Sequence, residues 1–429
     1  MDGHVVDSAR SARTEGVDVD TVVVGAGQAG LATSYWLTQA GIEHRVFERR
    51  GTPGGAWQDR WDSFCLNTPN FGITVPGMPY DGPEPEAFMP KDDVVAYLGR
   101  YAETIGAPVQ MDTDVTRVGA NAGGFVVETS RGNCRARNVV LAAGGYAKPK
   151  LPAAAAQIPA HILQLHTDAY RNPELLPEGA VLVVGTGQSG GQIAEELHEA
   201  GREVHLAISS CPEAPRRYRG QDVFHWLMQV GIHGEAYGTS FPRVDQLPSP
   251  AARFGCNPLL TGHDGGHDIC LRTFARNGVR LHGHFEEAGD GVLLFSDDIE
   301  DRLTAVEAGF GQRIQPVIDA YIAAAGIDAP ADDRPPHDRF APVADPRLDL
   351  EAAGVTSIIW ATGFRLDFGW LDVPVLDAWG YPRHDRGVVE HPGLYAVGLP
   401  WLSTQASALL SGVGRDAAHV VEHLARTAR

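Results

Sequence analysis

Three glycines and a glutamate near the start of the chain have the types and the spacing of a dinucleotide-binding site. Gly25, Gly27 and Gly30 form a Gly-x-Gly-x-x-Gly run, and Glu48 follows 18 residues after Gly30. The first glycine of such a run permits a tight turn, the second lets the backbone approach a pyrophosphate, and the third lets the next helix pack closely. A carboxylate at the position of Glu48 accepts hydrogen bonds from a ribose diol. The spacing therefore predicts a site for the pyrophosphate and the ribose of a dinucleotide.

The segments around these glycines predict the strand, helix and second strand that such a site needs. Residues 20–24 form a short apolar run, typical of a parallel strand that is buried on both faces. A helical apolar stripe follows and ends at Gly41, and residues 44–47 form a second strand that leads directly to Glu48. A glycine run alone is weak evidence, but this order of elements around it is specific.

A second unit of the same form begins 160 residues downstream. Residues 181–184 are apolar, and residues 203–209 supply the second strand. Between them stand the residues predicted to meet the second dinucleotide, which are Gly185, Gly187, Ser189 and Gly190. Enzymes that bind two dinucleotides usually transfer electrons between them, so the repeat predicts an oxidoreductase.

The end of the second unit favours NADPH over NADH. Ser209, 19 residues after the last glycine, stands where the first unit has Glu48. A carboxylate at this position repels a 2′-phosphate, whereas a hydroxyl and nearby guanidinium groups bind it. Arg216, Arg217 and Arg219 follow in the same loop. We therefore expect Ser209, Arg216 and Arg217 to bind the 2′-phosphate, and the alternative is a solvated basic loop.

The composition and the charge exclude several classes of function. The 429 residues are 43% hydrophobic and 21% charged, as in a globular protein of two or three domains. The net charge of −19 argues against a nucleic-acid surface, which needs a basic face. No apolar run approaches the roughly 20 residues of a membrane helix. Residues 1–17 lack the apolar centre of a signal peptide, so we expect a disordered tail on a cytoplasmic protein that binds neither nucleic acid nor membrane.

The cysteines and the histidines favour neither a redox dithiol nor a metal site. Five cysteines form no Cys-x-x-Cys motif, which weakens both a disulfide framework and a dithiol redox centre. His263 with His267, and His282 with His284, have metal-ligand spacings, but no third ligand accompanies either pair. We therefore expect structural or surface histidines and no bound metal.

The segment that follows the first unit is similar to a known enzyme family. Glu48 is followed by Arg49 and then by a Gly-Gly-x-Trp motif that contains Gly55 and Trp57. With the Rossmann unit before it, this pattern resembles the flavin-dependent monooxygenases of the two-dinucleotide, class B type. That family holds N- and S-oxygenating enzymes, the plant auxin-synthesis enzymes and the Baeyer–Villiger enzymes. The resemblance covers nearly the whole chain and implies FAD in the first site, against Arg49, Gly55 and Trp57, and NADPH in the second.

The resemblance also implies the fold class and the domain organisation. We expect an α/β fold with two Rossmann-like dinucleotide-binding domains, of which the NADPH domain is inserted into the FAD domain. The first part of the FAD domain is expected at 18–150, the NADPH domain at 151–352 and the return of the FAD domain at 353–429. Within the NADPH domain, residues 221–345 form an extended insertion. Residues 109–118 predict a strand of the FAD domain.

Five further residues are assigned to cofactor binding by the same resemblance. A buried strand ends in glycines at Gly144, before a linker at 148–152. Thr362 and Gly363 belong to the motif where the family's chain crosses back to the FAD domain. Gly398 takes the first position of the usual Gly-Asp pair, and Leu399 replaces the aspartate. Gly412 opens a terminal helix whose N-terminus is expected to point at the flavin pyrimidine edge.

A fingerprint of the family, Phe-x-Gly-x-x-x-His followed by an aromatic residue, is only partly present. His166 and Tyr170 are kept, but Ala160 and Ile162 replace the phenylalanine and the glycine. This departure indicates an outlying bacterial branch, so the substrate is not transferred from the known members. His166 is either catalytic or a buried hinge residue.

Asn67 is the predicted catalytic residue. In Leu66-Asn67-Thr68-Pro69 it resembles the asparagine that the N- and S-oxygenating members place beside the flavin. Its amide offers a donor and an acceptor without a titratable proton. Such a group suits a flavin C4a-(hydro)peroxide, which survives only where water is excluded. The alternative is that Asn67 forms a turn before Pro69.

These observations lead to one principal function and two alternatives. The principal one is an FAD-containing, NADPH-dependent monooxygenase that forms a flavin C4a-(hydro)peroxide and N- or S-oxygenates or hydroxylates a small organic substrate with molecular oxygen. The first alternative is Baeyer–Villiger oxygenation of a ketone, for which Arg60 or Arg365 is the candidate arginine. The second is an NAD(P)H:acceptor reductase that passes electrons to a protein partner. The substrate is not specified, and a homo-oligomer is allowed.

Overall fold

The fold is taken from a computed structural model and is described for residues 17–427. The tail expected at 1–17 therefore lies, apart from its last residue, outside the described residues. The helices are α1 (Gln28–Gln39), α2 (Lys91–Thr104), α3 (Gln188–Glu199), α4 (Val223–His233), α5 (Leu271–Arg276), α6 (Ile299–Arg313), α7 (Gln315–Ala325) and α8 (Val413–Thr427). No helix between residues 17 and 427 combines the length and the apolarity needed to cross a membrane.

The strands fall into two large sheets and three small ones. In chain order they are β1 (Val19–Val24), β2 (His44–Phe47), β3 (Val109–Gln110), β4 (Val115–Asn121), β5 (Gly124–Thr129), β6 (Gly132–Leu141), β7 (Lys148–Pro149), β8 (Leu163–His166), β9 (Ala180–Val184), β10 (Val204–Ala207), β11 (Arg217–Tyr218), β12 (Gln221–Asp222), β13 (Arg280–His282), β14 (Phe285–Gly289), β15 (Val292–Phe295), β16 (Arg347–Asp349), β17 (Val355–Trp360), β18 (Phe364–Arg365), β19 (Leu371–Asp372), β20 (His384–Asp385), β21 (Val388–Val389) and β22 (Leu394–Ala396).

The first sheet carries the N-terminal glycine turn. Its main path runs β19-β4-β5-β6-β1-β2-β3, and β22 joins it through β6. Strand β1 pairs in parallel with both β2 and β6. Val22 and Val23 of β1 are fully buried, because helices and loops cover both faces of a parallel sheet. The predicted β1–α1–β2 unit is therefore present, and β2 ends directly before Glu48.

The second sheet is parallel throughout and carries the second glycine turn. Its strand order is β13-β10-β9-β17-β8, and each neighbouring pair is parallel. All of these strands lie between residues 163 and 360, whereas the first sheet is built from segments on both sides of that range. The predicted fold class, an α/β fold with one Rossmann-like domain inserted into another, is confirmed.

The expected domain boundary at residue 353 is wrong. Strand β17, which follows that boundary, pairs with β9 and β8 in the second sheet. The chain returns to the first sheet only after β17, where β18 pairs with β7 to form a two-stranded connection between the two parts. The strand pairing thus keeps residues up to 360 in the inserted domain.

Two further segments differ from the prediction. The strand expected at 109–118 is broken into β3 and β4, since Asp112 between them has a φ of 51°, a left-handed conformation that interrupts the extended backbone. Helix α6 was not predicted, although its buried residues follow a helical spacing: Ile299, Leu303, Val306 and Phe310.

Candidate functional site

The two glycine turns have nearly the same geometry. Gly25 has a φ of +106° and Gly185 a φ of +105°, a conformation that favours glycine at both positions. A Cβ on Gly25 would lie 2.7 Å from the carbonyl oxygen of Ala142, and a Cβ on Gly185 would lie 2.7 Å from that of Ala361. The neighbouring strand therefore excludes any side chain at the first glycine of each unit.

The second glycine of each turn faces open space. A Cβ on Gly27 would meet nothing closer than the Gly55 Cα at 3.9 Å, and one on Gly187 would meet nothing within 4 Å. Both residues line the same cavity. By contrast, a Cβ on Gly30 or Gly190 would lie 1.8 Å or 1.9 Å from the first glycine's carbonyl oxygen. The turns thus leave room for a ligand at the middle glycine, and the third glycine serves helix packing.

The cavity between the two turns has a volume of about 1180 Å³. Ligand pockets commonly measure roughly 300–1,000 Å³, so this space suits a large ligand or more than one. The predicted site residues on its wall are Gly25, Gly27, Glu48, Arg49, Gly55, Trp57, Asn67, Gly144, Gly187, Ser189, Gly363 and Gly398. Those that do not line it are Gly30, Gly185, Gly190, Ser209, Arg216, Arg217, Thr362 and Gly412. Residues 221–345 contribute much of the opposite wall, among them Phe224, Leu227 and Met228.

Glu48 lies at the end of β2 and is only 3% exposed. One carboxylate oxygen accepts a hydrogen bond from the Ala26 amide at 2.8 Å, and the other accepts one from the Arg50 amide at 3.0 Å. Each oxygen has a second lone pair. The carboxylate is therefore fixed in place and still able to accept hydrogen bonds from a ligand in the cavity.

Gln28, which the sequence-based reasoning did not single out, joins two cavity-lining segments. Its Oε1 accepts a hydrogen bond from Trp57 Nε1 at 2.9 Å, and its Nε2 donates to the carbonyl oxygen of Ala408 at 3.0 Å. The residue stands directly after the second glycine of the first turn. This position, directly after the second glycine of the motif, is the sequence signal from which Gln28 could have been predicted.

Asn67 takes part in a chain of three side-chain amides. Its Nδ2 donates to Gln188 Oε1 at 2.5 Å, and its Oδ1 accepts from Gln192 Nε2 at 2.6 Å. Gln188 Nε2 donates in turn to the Pro258 carbonyl at 2.8 Å, and Gln192 Nε2 also donates to the Leu260 carbonyl at 3.1 Å. Because carbonyl oxygens accept at both ends, the chain fixes which way each amide points. Asn67, Gln188 and Gln192 all line the cavity, so an amide of fixed orientation stands on its wall.

Arg216 is not placed where a coenzyme phosphate could reach it. Its side chain is 4% exposed, pairs with Asp222 at 3.1 Å and donates to the Asn67 carbonyl oxygen at 2.8 Å. Burial lowers the pKa of Arg216 and raises the pKa of Asp222. The rings of Phe88 and Phe224 lie 4.7 Å and 5.6 Å from the guanidinium carbon. The structure thus contradicts a 2′-phosphate role for Arg216, because an acid and two aromatic rings enclose it.

The other two residues of that prediction have different surroundings. Arg217 is exposed, and its guanidinium donates to the Gly220 carbonyl oxygen at 3.2 Å. Ser209 is bound to the second glycine turn, since its hydroxyl lies 3.1 Å from Thr186 Oγ1 and its amide donates to that atom at 2.9 Å. Arg217 remains available for a phosphate, and Ser209 stabilises the turn.

His166 lies where the two domains connect. Its Nδ1 is 2.9 Å from Asp168 Oδ1, and its Nε2 is 2.9 Å from the Gly363 carbonyl oxygen. The Phe364 ring packs edge-on against it at 4.6 Å. The side chain is buried and is not on the cavity wall, although Thr167 is. These contacts favour the hinge role for His166 over the catalytic one.

Arg60 lines the cavity without forming a hydrogen bond or an ion pair to any residue in the range 17–427 through its guanidinium. Its guanidinium carbon lies 4.7 Å from the Tyr146 ring centre, 5.6 Å from that of Phe64 and 5.9 Å from that of Trp57. Cation–π contacts of this kind hold a guanidinium without neutralising it. Arg365, the other candidate arginine, is exposed and lies off the cavity wall.

The residues of the C-terminal part that were predicted to bind the cofactor pack against other segments of the chain. A Cβ on Gly398, whose φ is +76°, would lie 2.3 Å from Ala29 Cβ, so α1 packs directly against this backbone. A Cβ on Gly412 would lie 2.3 Å from the Ala406 carbonyl oxygen. Helix α8 begins at the next residue, Val413. Thr362 Oγ1 donates to the Lys150 carbonyl oxygen, which joins the two connecting segments.

One histidine of each pair with metal-ligand spacing forms a hydrogen bond to another side chain. His267 Nε2 is 2.8 Å from Glu195 Oε1, and that hydrogen bond raises the pKa of His267. His282 Nε2 is 2.9 Å from Nδ1 of the buried His205. Across the part of the chain that is described, no three His, Cys, Asp or Glu side chains are grouped so as to hold a metal ion.

Known proteins resemble this chain over much or most of its length. Residues 22–227 match the family described as pyridine nucleotide-disulphide oxidoreductase. An uncharacterised oxidoreductase named CzcO-like from Geobacillus kaustophilus is 31% identical over 408 residues, which are 95% of this chain and 98% of that protein. The indole-3-pyruvate monooxygenase YUCCA1 of Oryza sativa is 29% identical over 214 residues, 49% of this chain and 52% of the plant protein. A solved structure, a doubly substituted flavin monooxygenase from Stenotrophomonas maltophilia, has a TM-score of 0.64 at 20% identity and covers 96% of this chain and 99% of that chain.

Proposed function

We propose a function from one premise: this chain belongs to the flavin-dependent monooxygenases that bind two dinucleotides. The matched family and the relatives confirm the resemblance drawn from Glu48, Gly55 and Trp57, and the enzyme is an oxidoreductase of the flavin monooxygenase type. We infer that it binds FAD and NADPH and uses molecular oxygen to N- or S-oxygenate or to hydroxylate a small organic substrate. The observation that carries this proposal is that both glycine turns open onto one cavity, with the Asn67 amide on its wall.

The first turn fits FAD. The middle glycine, Gly27, leaves open the space that a pyrophosphate needs, and Glu48 keeps lone pairs for a ribose diol. Trp57 is held by Gln28 on the same wall. When bound, the flavin would supply the two electrons that activate oxygen.

The second turn fits a nicotinamide dinucleotide. Gly187 leaves the same open space as Gly27, and Ser189 stands on the cavity wall at the start of α3. Ser209 brings no carboxylate to the end of the unit, and the exposed Arg217 follows in the loop after it. A site without an acid and with an exposed guanidinium favours a 2′-phosphate, which supports NADPH as the coenzyme.

Asn67 is the proposed catalytic residue because its contacts leave one hydrogen-bond donor free. Its Oδ1 and one Nδ2 hydrogen are bound by Gln192 and Gln188, so the second Nδ2 hydrogen remains for a ligand in the cavity. A neutral donor of fixed direction can stabilise developing negative charge without offering an acidic proton. The same contacts argue against the alternative that Asn67 only forms a turn, since a turn does not require a hydrogen bond to either glutamine.

A second candidate function is Baeyer–Villiger oxygenation, and Arg60 favours it. A cavity-lining guanidinium without an acidic partner could hold oxygen-derived negative charge next to a ketone. Arg365 is exposed away from the cavity and does not share this property.

Rapid mixing of the flavin-loaded enzyme tests the proposal. We expect NADPH to reduce the flavin faster than NADH under anaerobic conditions. On mixing with oxygen, a transient absorbance distinct from reduced and oxidised flavin should precede the oxidised spectrum. Amine, thioether and ketone probes, analysed for the gain of one oxygen atom, then separate the first candidate from the second. Direct return to oxidised flavin with stoichiometric hydrogen peroxide, whatever probe is present, would instead favour the reductase.

A further inference from the structure

Cys211 and Cys256 are 45 residues apart in the chain, and the fold brings the segments that carry them together beside the cavity. The Cys211 thiol is fully buried and donates a hydrogen bond at 3.0 Å to the carbonyl oxygen of Asn257, the residue that follows Cys256. The two thiols are close enough for each to shift the pKa of the other. Cys256 is exposed and lines the cavity. One thiol is thus open to a small solute, and the other is shielded from it.

Backbone pairing holds together the two segments that carry these thiols. The Leu259 amide donates to the Pro212 carbonyl oxygen at 2.6 Å, and the Ala214 amide donates to the Leu259 carbonyl oxygen at 3.2 Å. These bonds form a parallel bridge between Glu213 and Leu259. Continued backward along both segments, this register places Cys211 beside Asn257, so Cys256 lies one residue from the position opposite the buried thiol.

We propose that Cys211 and Cys256 form a peroxide-sensitive dithiol, in which hydrogen peroxide oxidises Cys256 and Cys211 then closes a disulfide. This inference does not rest on the proposed function, because it needs only the two thiols and peroxide. It also revises the expectation from the absence of a Cys-x-x-Cys motif, since the fold supplies the pair that the sequence spacing does not.

The chemistry balances in two steps. The Cys256 thiolate attacks one peroxide oxygen, forms an S–O bond and releases hydroxide, which leaves a sulfenic acid. The Cys211 sulfur then attacks the Cys256 sulfur, the S–S bond forms, and the sulfenic oxygen leaves as water with the Cys211 proton. The two thiols lose two electrons and two protons in total, and one hydrogen peroxide becomes two waters.

The surroundings make Cys256 the first thiol to react. The neighbouring Cys211 side chain holds the pKa of Cys256 below its usual value, and the positive charge of Arg313 acts in the same direction. Burial raises the pKa of the remaining three cysteines, which are Cys65, Cys134 and Cys270. Since the thiolate is the nucleophile, oxidation should begin at Cys256.

The disulfide would form within the wall that joins the second glycine turn to the flavin side. The Asn257 side chain accepts a hydrogen bond from Gln405 Nε2 at 2.9 Å, and the Pro258 carbonyl oxygen accepts one from Gln188. A bond between Cys211 and Cys256 would therefore fix a segment that contacts both halves of the cavity.

Mass spectrometry of the oxidised protein tests the proposal. The whole chain is reduced, freed of reductant, treated with a stoichiometric amount of hydrogen peroxide, alkylated and digested without reduction. We expect an intact mass lower by two hydrogens and a linked peptide pair that contains residues 211 and 256. In Cys211→Ser, dimedone should trap a sulfenic acid at Cys256, and in Cys256→Ser neither product should form. Cys270→Ser is the matched control and should behave like the unmodified protein.

Three results would overturn the proposal. One is the absence of the linked pair from the oxidised, unmodified protein. Another is a dimedone adduct at Cys256 that is as abundant in the unmodified protein as in Cys211→Ser, since Cys211 would then fail to resolve it. The third is a Cys256→Ser variant that is oxidised as fast as the unmodified protein. Because Cys256 is exposed, its serine variant should keep the melting temperature and remain informative even if Cys211→Ser does not fold.

Discussion

Replacing Gln192 by leucine should shorten the life of the transient formed when reduced flavin meets oxygen, without slowing reduction by NADPH. Gln192 Nε2 donates to Asn67 Oδ1 at 2.6 Å and to the Leu260 carbonyl oxygen at 3.1 Å. It contacts the proposed catalytic amide but does not belong to either glycine turn. Gln192 is therefore a positioning residue, and its loss should affect only the step in which Asn67 acts.

The magnitude follows from the hydrogen bonds of Asn67. Turning its amide over would break the bonds to Gln192 and Gln188 and oppose like atoms at both contacts. At about 0.5–1.5 kcal/mol per bond, the observed orientation is favoured by about 1–3 kcal/mol, or roughly 5- to 150-fold. Gln192→Leu removes one of the two bonds, so the transient should decay roughly two- to tenfold faster. The buried carbonyl that loses its donor should also cost about 1–3 kcal/mol of stability.

The assay is stopped-flow absorbance in two halves, with reduction by NADPH measured first and reaction with oxygen second. Asn67→Ala supplies the upper limit of the effect. Gln164→Leu is the control for lost stability, because Gln164 accepts a hydrogen bond from Trp360 Nε1 at 3.0 Å and lies away from the cavity. It should lower the melting temperature and leave both kinetic phases unchanged.

Two outcomes would refute this reasoning. If Asn67→Ala shortens the transient and Gln192→Leu does not, the glutamine does not set the direction of the amide. If Gln192→Leu slows reduction as much as it shortens the transient, the amide chain is needed for coenzyme binding rather than for the reaction with oxygen.

Three further predictions concern the turns, the arginines and a buried acid. Gly27→Ala should abolish flavin binding, whereas Gly187→Ala should keep the flavin but no longer be reduced by NADPH, because each methyl group fills the open space at one turn only. The absorbance of the purified protein measures bound flavin, and stopped flow measures its reduction. Arg217→Ala should reduce the preference for NADPH over NADH in flavin reduction by roughly ten- to a hundredfold, since a charged hydrogen bond contributes about 1.5–3 kcal/mol. Arg216→Ala should leave that preference unchanged. It should lower the free energy of unfolding by about 3–5 kcal/mol, because Asp222 then stays buried without its charged partner. Burial raises the pKa of Glu213 from 4.5 to about 7, so its contribution to stability is fully present below about pH 4.5 and is lost as the pH rises through 7. Glu213→Gln should remove that part of the pH dependence in urea unfolding between pH 5 and 8.

The cofactor turns could be predicted from the sequence because they are local. Gly25 and Gly185 each meet a carbonyl oxygen of a neighbouring strand, and the need for glycine there is visible in the spacing of a few residues. The sheet that receives β17 could not be predicted in this way. A charge-free strand looks the same in either sheet, and only pairing with β9 and β8 decides between them.

The contacts between distant segments escaped prediction for the same reason. Asn67 and Gln188 are 121 residues apart, and no local pattern links them. Arg216 stands in a basic loop, but Asp222 and the Phe88 ring enclose its guanidinium in the folded chain. A cluster of arginines therefore predicts positive charge near a site and does not predict which of them faces it.

The two turns share one feature that joins cofactor binding to the cavity wall. The residue after the second glycine is a glutamine in both units, Gln28 in the first and Gln188 in the second. Gln28 holds Trp57 and the Ala408 carbonyl oxygen, and Gln188 holds Asn67 and the Pro258 carbonyl oxygen. Each turn is thus fixed to two segments from elsewhere in the chain. A dinucleotide that orders a turn would order its wall segments too, because the glutamine begins the helix that the turn leads into. Asn67 lies in the first domain and its partner Gln188 in the second, so the amide is correctly held only when both units are in place.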